Sequence, residues 1–165
     1  MRIGLDIDGV IADFGSHFLN YLDIEDKTPA KCWDDIRFRE NFKRIDDDAN
    51  FWLTMPPLLS MDDLEFKPTV FVTARNIDKS ITQKWLDANG FGGIPLESVG
   101  MDMSKVEAIN KYNIDLFVDD ALHNYDDLNN NNINCVLMNR SHNEHNDVAS
   151  RIYHLNQILD YVHSI

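Results

Sequence analysis

The chain has 165 residues, a length typical of one domain with a small insertion rather than of two full domains. Hydrophobic residues make up 44% and charged residues 26%, as in ordinary globular proteins, and the two cysteines Cys32 and Cys135 have neither metal-binding nor redox spacing. The formal net charge of −13 argues against long nucleic acids as partners, and it requires local positive charge wherever a phosphorylated substrate binds.

No apolar run in the sequence approaches the roughly 18 residues that a membrane span needs. The N-terminal segment meets an acid at Asp6, too early for the apolar part of a secretory signal peptide. The sequence therefore predicts a cytoplasmic protein with reduced thiols and no membrane partner, and it leaves a homodimer open.

The first predicted element is a short buried strand over residues 2–7, which ends in acid and glycine. Residues 13–60 then predict a small helical insertion, because aromatic and charged residues recur there at helical spacing. Three helices are expected in the insertion: one that carries Phe14 and Phe18, one near 34–45 and one near 46–53. In addition, Thr28-Pro29 is typical of a helix start.

From residue 61 onward predicted strands and helices alternate, which indicates an α/β fold with a mostly parallel sheet covered on both faces. In such a sheet, ligands bind beyond the carboxyl ends of the strands. The predicted strands span 69–73, 96–99, 115–118 and 134–138. The predicted helices run from Asn76 or Asp78 to Asn89, from Ser104 to Tyr112, over 122–129, and along an amphipathic closing segment from Val148 to Val162.

Two acids, Asp6 and Asp8, lie two positions apart at the end of the first predicted strand. Because side chains alternate along a strand, both carboxylates are expected on one side, where they could share a hard cation such as Mg²⁺. Gly9 follows, and a glycine lets the backbone approach a ligand closely. Taken alone, this pair is more typical of an ordinary acidic turn after a strand.

The later strand ends add three weaker signals. Thr73 ends the second strand, and Ala74 follows it just before a predicted helix start, an arrangement that favours anions. Lys105 lies in the first turn of its predicted helix, where a cation opposes the helix dipole and therefore hints at function. Asp119 and Asp120 end a further strand, so one is expected at the metal while the other turns away into a supporting role.

Four segments in series resemble the four motifs of phosphatases of the haloacid dehalogenase (HAD) superfamily. They are Asp6-Ile7-Asp8-Gly9-Val10, Val72-Thr73-Ala74-Arg75, Lys105 and Val118-Asp119-Asp120. Within the superfamily the chain looks most like the 5′(3′)-deoxyribonucleotidase group and its short phage-type relatives. The resemblance implies a Rossmann-like three-layer HAD core over residues 1–12 and 61–165, with a small helical C1-type cap over 13–60.

The resemblance also implies roles for the acids. Asp6 would be the nucleophile that forms an aspartyl phosphate, and Asp8 would be the general acid and base. Mg²⁺ would be held by the Asp6 carboxylate, the Asp8 backbone carbonyl and Asp119, with Asp120 in support.

Phosphate binding and substrate selection are implied in the same way. Thr73, Lys105 and the backbone N–H groups near Gly9 and Ala74 would bind the phosphoryl oxygens. The cap would read the leaving group, and its aromatic rings could stack on a nucleobase, although aromatic residues at helical spacing are more often core. The expected substrate contacts are Arg75, which is equally suited to bracing its loop, and Phe14, Phe18 and Trp33.

The implied activity is Mg²⁺-dependent hydrolysis of a small phosphomonoester, with a nucleoside 5′-monophosphate as the expected substrate. The alternatives are a phosphatase of another small metabolite, a phosphomutase, and a binding module that has lost catalysis; the acidic charge disfavours polynucleotide ends. His142 and His145 lie in a polar stretch with no further metal ligand nearby, so a solvated loop is expected there.

Overall fold

The computed structural model describes residues 1–162, and within them six strands form one sheet. The strands are β1 (Ile3–Leu5), β2 (Val70–Ala74), β3 (Leu96–Val99), β4 (Leu116–Asp119), β5 (Cys135–Met138) and β6 (Arg151–Ile152). All neighbouring pairs are parallel, in the order β3-β2-β1-β4-β5-β6. The α/β fold with a parallel sheet that the sequence predicts is therefore confirmed.

Helices lie between most of these strands. They are α1 (Phe14–Tyr21), α2 (Ile36–Asn41), α3 (Ala49–Leu53), α4 (Lys79–Ala88), α5 (Val106–Lys111), α6 (Leu122–Asn130) and α7 (Ile158–Val162), with short 3-10 helices at Phe42–Arg44, Met61–Asp63 and Leu155–Gln157. In the described part of the chain, none of them is both long enough and apolar enough to cross a bilayer.

The sheet is buried on both faces, as its near-continuous runs of apolar residues predict. Alternation along β4 sends Val118 into one core cluster and Phe117 into the other. The first cluster includes Trp85 of α4 and Ile158 of α7, and the second is closed by α5 and α6. The fold is thus a three-layer arrangement with a helical layer on each side of the sheet.

The insertion packs around aromatic side chains. Phe18 is fully buried, and its ring centre lies 4.6 Å from that of Phe38 and 6.1 Å from that of Phe51, whose ring is nearly perpendicular to it. Phe18 and Phe51 belong to the same core cluster as Trp85, so the insertion continues one face of the core. The division of the chain into a core and a cap stays a prediction.

Two predicted helix starts, at Thr28-Pro29 and at Val148, are wrong. Thr28-Pro29 begins no helix, because the backbone N–H and the hydroxyl of Thr28 both bond to Asp26 Oδ1 and form a turn instead. The segment predicted as one closing helix from Val148 contains β6, where Leu137 N donates to Ser150 O and Asn139 N donates to Ile152 O. These bonds to β5 place Ile152 in the core as a strand residue, and α7 begins only at residue 158.

The strand order places a topological switch point beside β1. The chain passes from β1 to β2 and β3 on one side, then crosses to β4 and onward on the other. Ligands bind at such points in open α/β sheets, beyond the carboxyl ends of the strands. Asp6 follows β1, Asp119 ends β4, and Asp6 N donates to Val118 O at 2.9 Å. The predicted site residues therefore lie at the edge of the sheet where a ligand is expected.

Candidate active site

Three buried acids meet at this edge. Asp6, Asp119 and Asp120 each present a carboxylate oxygen within 4.8 Å of the other two. The prediction that Asp120 turns away from the site is wrong, because β4 ends at Asp119 and the chain then bends toward α6. Strand alternation no longer applies at that bend, so the adjacent carboxylates can face the same point.

Lys105 lies among these acids. Its Nζ donates a hydrogen bond to Asp119 Oδ2 at 2.7 Å and forms an ion pair with Asp6 Oδ1 at 2.9 Å. The lysine stands at the N-cap of α5, one residue outside the predicted first turn, and its side chain is 1% exposed. Burial by itself would lower the pKa of Lys105, but the charges of Asp119 and Asp6 outweigh burial and hold the pKa above its ordinary value.

The positive charge of Lys105 does not balance the negative charge of the three acids. Burial raises the pKa of Asp6 well above its ordinary value; Lys105 opposes the rise, while the charges of Asp119 and Asp120 add to it. Lys105 balances at most one of the three carboxylate charges. An all-oxygen, buried and net negative donor set is what a hard divalent cation such as Mg²⁺ requires, so these residues fit the metal that the sequence predicts.

Asp119 and Asp120 differ in how many hydrogen bonds their carboxylate oxygens already accept. Asp119 accepts hydrogen bonds from Lys105, from Ala121 N at 2.9 Å and from Asn124 Nδ2 at 3.2 Å to each oxygen. Asp120 Oδ2 faces His142 Nε2 at 3.1 Å. Asp119 is thus held by its neighbours on both oxygens, whereas Asp120 keeps more acceptor capacity for a ligand.

Gly9 makes room for Asp120. Its backbone φ is +74°, and a Cβ at this position would lie 1.9 Å from Asp120 Oδ2, so no side chain fits. The N–H of Gly9 donates to Ala12 O at 2.8 Å. The prediction that this N–H binds phosphate is therefore wrong in this structure, and the glycine serves instead to admit the carboxylate.

The Asp8 carboxylate is not one of the three that meet in the acid cluster, so the prediction that it shares a cation with the Asp6 carboxylate is wrong. The reason is that β1 ends at Leu5, and the N–H groups of Ile11 and Ala12 fold back onto Ile7 O in a tight turn. The Asp8 carboxylate instead binds Arg75 through both oxygens, at 2.9 and 2.7 Å.

Thr73 and Ala74 end β2, next to β1 in the sheet, so the strand runs one residue beyond its predicted end at Thr73. Thr73 Oγ1 is buried and has no hydrogen-bond partner among residues 1–162. Because a buried hydroxyl is normally paired, this atom points to a missing acceptor or donor. The predicted anion site at the following helix is not formed, since α4 begins at Lys79 and the Asp78 carboxylate already accepts from Ser80 N.

His142 is a site residue that the sequence did not reveal, and the prediction of a solvated loop is wrong for it. Its Nε2 lies 3.1 Å from both Asp120 Oδ2 and Asp120 O, and Asn143 Nδ2 donates to the same backbone oxygen at 2.7 Å. Burial would lower the pKa of His142, but its bond to Asp120 outweighs burial and raises it. The available signal was its place four residues after β5, at the functional edge of the sheet. His145 is exposed, as expected.

The aromatic residues predicted to contact the substrate differ in their exposure. Phe18 has no exposed surface, so the prediction that it touches substrate is wrong for this structure, and Phe14 packs against it at 5.7 Å. Trp33 is 55% exposed, and its ring centre lies 5.2 Å from that of His123 and 5.3 Å from that of His142. Trp33 therefore offers an open aromatic surface beside the acid cluster.

No family model matches the sequence, and no curated protein is significantly similar to it.

Proposed function

We propose that this chain is a phosphomonoesterase of the HAD type, with Asp6 as the nucleophile. The observation that carries the proposal is the meeting of Asp6, Asp119, Asp120 and Lys105 at the carboxyl ends of β1 and β4. Thr73, near the end of the neighbouring strand β2, has a hydroxyl without a partner within residues 1–162, and this hydroxyl can donate to a phosphoryl oxygen. Asp6, Asp119 and the Thr73 hydroxyl therefore lie at the ends of three adjacent strands, and the cation Lys105 reaches the acids from the N-cap of α5.

The acid cluster supports Mg²⁺ as the cofactor. Asp6, Asp120 and the backbone carbonyl of Asp8 would hold the ion; the hydrogen bonds favour Asp120 over the predicted Asp119, which is occupied by Lys105 and Asn124. When bound, the ion supplies positive charge that screens the repulsion between carboxylate and phosphate.

The proposed reaction has two steps. In the first step, a carboxylate oxygen of Asp6 attacks phosphorus and the bond from phosphorus to the leaving oxygen breaks. The leaving oxygen keeps the electron pair of that bond and receives a proton from Asp8. Water then attacks the aspartyl phosphate, Asp8 takes a proton from the water, and the bond from phosphorus to Asp6 breaks. The products are an alcohol, inorganic phosphate and the restored carboxylate.

The proposed substrate class is the (deoxy)nucleoside monophosphates, and Trp33 supports it. A base can stack on an exposed indole, and base–aromatic stacking contributes about 1–3 kcal/mol. Trp33 packs beside His142, which bonds to Asp120, so the indole borders the acid cluster that contains the nucleophile.

The chemistry is tested with p-nitrophenyl phosphate and Mg²⁺. We expect Asp6→Asn to lower turnover by about 10⁴-fold or more, and EDTA to abolish turnover of the wild type. Acid-quenched wild-type enzyme should carry phosphate on Asp6, detected by mass spectrometry. Activity that survives Asp6→Asn would overturn the proposal.

The substrate class is tested with a panel of nucleoside monophosphates and sugar phosphates. Trp33→Ala should lower kcat/KM for nucleotides by about tenfold or more and leave sugar phosphates unchanged. Tyr153→Ala is the matched control, because Tyr153 is 65% exposed and follows the edge strand β6. Equal losses on nucleotides and sugar phosphates in Trp33→Ala would exclude base recognition by this ring.

A further inference from the structure

Arg75 directs its guanidinium into the protein. Nε and Nη2 donate to the two oxygens of Asp8 at 2.9 and 2.7 Å, and Nη1 donates to Thr82 Oγ1 at 3.2 Å. The arginine side chain is 1% exposed, whereas that of Asp8 is 19% exposed. The guanidinium thus lies behind Asp8, and the carboxylate lies between Arg75 and the open side.

We infer that Arg75 is a positioning residue that orients Asp8 for proton transfer and does not bind the substrate. The inference depends on the proposed function, in which Asp8 is the acid and base. Each carboxylate oxygen has two lone-pair sites, and the two-point bond to Arg75 uses one site on each. It fixes the plane of the carboxylate and leaves the outer sites free for a proton on the leaving oxygen or on water.

A residue of the 13–60 insertion helps to place this arginine. The guanidinium carbon of Arg75 lies 4.6 Å from the ring centre of Trp52, a buried residue of α3. The indole is itself fixed, because its Nε1 donates to Ile45 O at 2.9 Å. Stacking on an aromatic face adds to the hydrogen bonds in holding a planar guanidinium. The orientation of Asp8 therefore depends on a residue from the 13–60 insertion as well as on β2.

The consequence is a dependence on the leaving group. In the first step an alkyl leaving oxygen must gain a proton as its bond to phosphorus breaks, whereas p-nitrophenolate is stable as an anion and needs none. General acid catalysis contributes about 10²–10⁴-fold when it is needed. A misplaced Asp8 should therefore slow alkyl phosphomonoesters selectively. Loss of a phosphate contact or of general structure would slow both kinds of substrate.

The experiment compares kcat/KM for a nucleoside monophosphate and for p-nitrophenyl phosphate, since kcat/KM covers the steps through the first phosphoryl transfer. Arg75→Lys keeps the charge and removes the two-point bond. We expect a loss of about 100-fold on the nucleotide and less than about threefold on p-nitrophenyl phosphate. Arg37→Lys is the matched control, because Arg37 makes the same two-point bond to Asp35 within the insertion, and the ratio should stay at the wild-type value.

Thr82→Val is the second variant, because it removes the acceptor of Arg75 Nη1 with little change in volume and leaves Asp8 itself intact. It should shift the same ratio in the same direction by about threefold or more. Thermal unfolding of each variant identifies those that fold, and acid-quenched samples report how much aspartyl phosphate accumulates when water activation by Asp8 is slowed.

Equal losses on both substrates in Arg75→Lys, or an unchanged ratio in the folded Thr82→Val, would overturn the positioning role. Such a result would leave the proposed function standing, provided that Asp6→Asn is inactive and the wild type forms aspartyl phosphate. Activity without Asp6 would overturn the proposed function itself, whatever the behaviour of Arg75.

Discussion

The strand-end cluster and the aromatic cluster of the insertion are both built around buried side chains, but of opposite kinds. The strand-end cluster consists of Asp6, Lys105, Asp119 and Asp120, and each charge depends on a named partner. The aromatic cluster consists of Phe14, Phe18, Phe38, Phe42 and Phe51, whose rings share contacts with several neighbours. Removal of the cation Lys105 leaves buried carboxylates uncompensated, whereas removal of a ring leaves a space that neighbours can partly fill.

Lys105→Met should produce the largest effect. The substitution removes the ion pairs of Asp6 and Asp119 while it preserves apolar volume, and breaking a buried pair in this way costs about 3–5 kcal/mol. Activity should also disappear, because the nucleophile and the phosphate lose their fixed cation. Urea unfolding and phosphate release measure the two consequences separately.

Lys111→Met is the control for that prediction. Lys111 pairs with Glu97 at 2.6 Å, but its side chain is 63% exposed, so water screens the pair and its loss should cost little. Similar destabilisation by both lysine variants would mean that the buried site is no more sensitive to charge than the surface.

Phe18→Ala should have the next largest effect, and this effect should be on stability and not on activity. Burial of the ring is complete, and truncation of a buried phenylalanine costs about 3–5 kcal/mol. We expect about 3 kcal/mol, because the partly exposed Phe38 and Phe42 can move toward the cavity. Phe18→Leu should cost roughly half as much, since it keeps most of the volume.

The activity of folded Phe18→Ala distinguishes the two clusters. Its kcat/KM for p-nitrophenyl phosphate should stay within about threefold of the wild type, since Phe18 has no surface open to substrate. A selective loss of catalysis with unchanged stability would contradict the assignment of this ring to packing.

The sequence predicted most of the sheet because its strands are short apolar runs bounded by turn signals. β2 and β4 lie within one residue of their predicted ends, and β3 matches. β6 was not predictable in the same way, since Arg151 and Ile152 become a strand only by pairing with Leu137 and Met138. That pairing is a long-range property that no local periodicity records.

The residues of the candidate active site were predictable where their positions depend on the ends of strands and helices. Asp6, Thr73 and Asp119 follow from the strands that carry them, and Lys105 from its helix start. The bond between Arg75 and Asp8 spans 67 positions and depends on the turn after β1, which ends the strand earlier than the sequence suggested. His142 depends in the same way on the conformation of a loop after β5, so neither contact could be read from spacing.

Asp6→Asn should change stability in a pH-dependent way in metal-free protein. The pKa of Asp6 is raised on folding, so the folded state holds the proton more tightly, and this stabilisation is lost as pH rises from about 4 through the raised pKa. Asparagine does not titrate. The variant should therefore be more stable than the wild type at neutral pH, and the difference should shrink toward pH 4.

Urea unfolding in EDTA between pH 4 and 8 measures this difference. Lys105 keeps its bond to Asp119 in the variant, so the lysine itself is not left unpaired. A wild type that is more stable than the variant at neutral pH, by a margin that shrinks on acidification, would show that Asp6 is stabilised as the carboxylate and that burial does not dominate its environment.

Arg37→Lys should produce a smaller effect than Lys105→Met or Phe18→Ala, although its geometry is nearly that of Arg75. Arg37 binds both oxygens of Asp35 at 3.0 and 2.7 Å and also donates to Thr28 O at 2.8 Å. Its side chain is 15% exposed, and water reaches the pair, so the loss of the two-point bond should cost about 1 kcal/mol in urea unfolding. A cost near that of Lys105→Met would mean that the geometry of a pair, rather than its burial beside uncompensated acids, sets its contribution to stability.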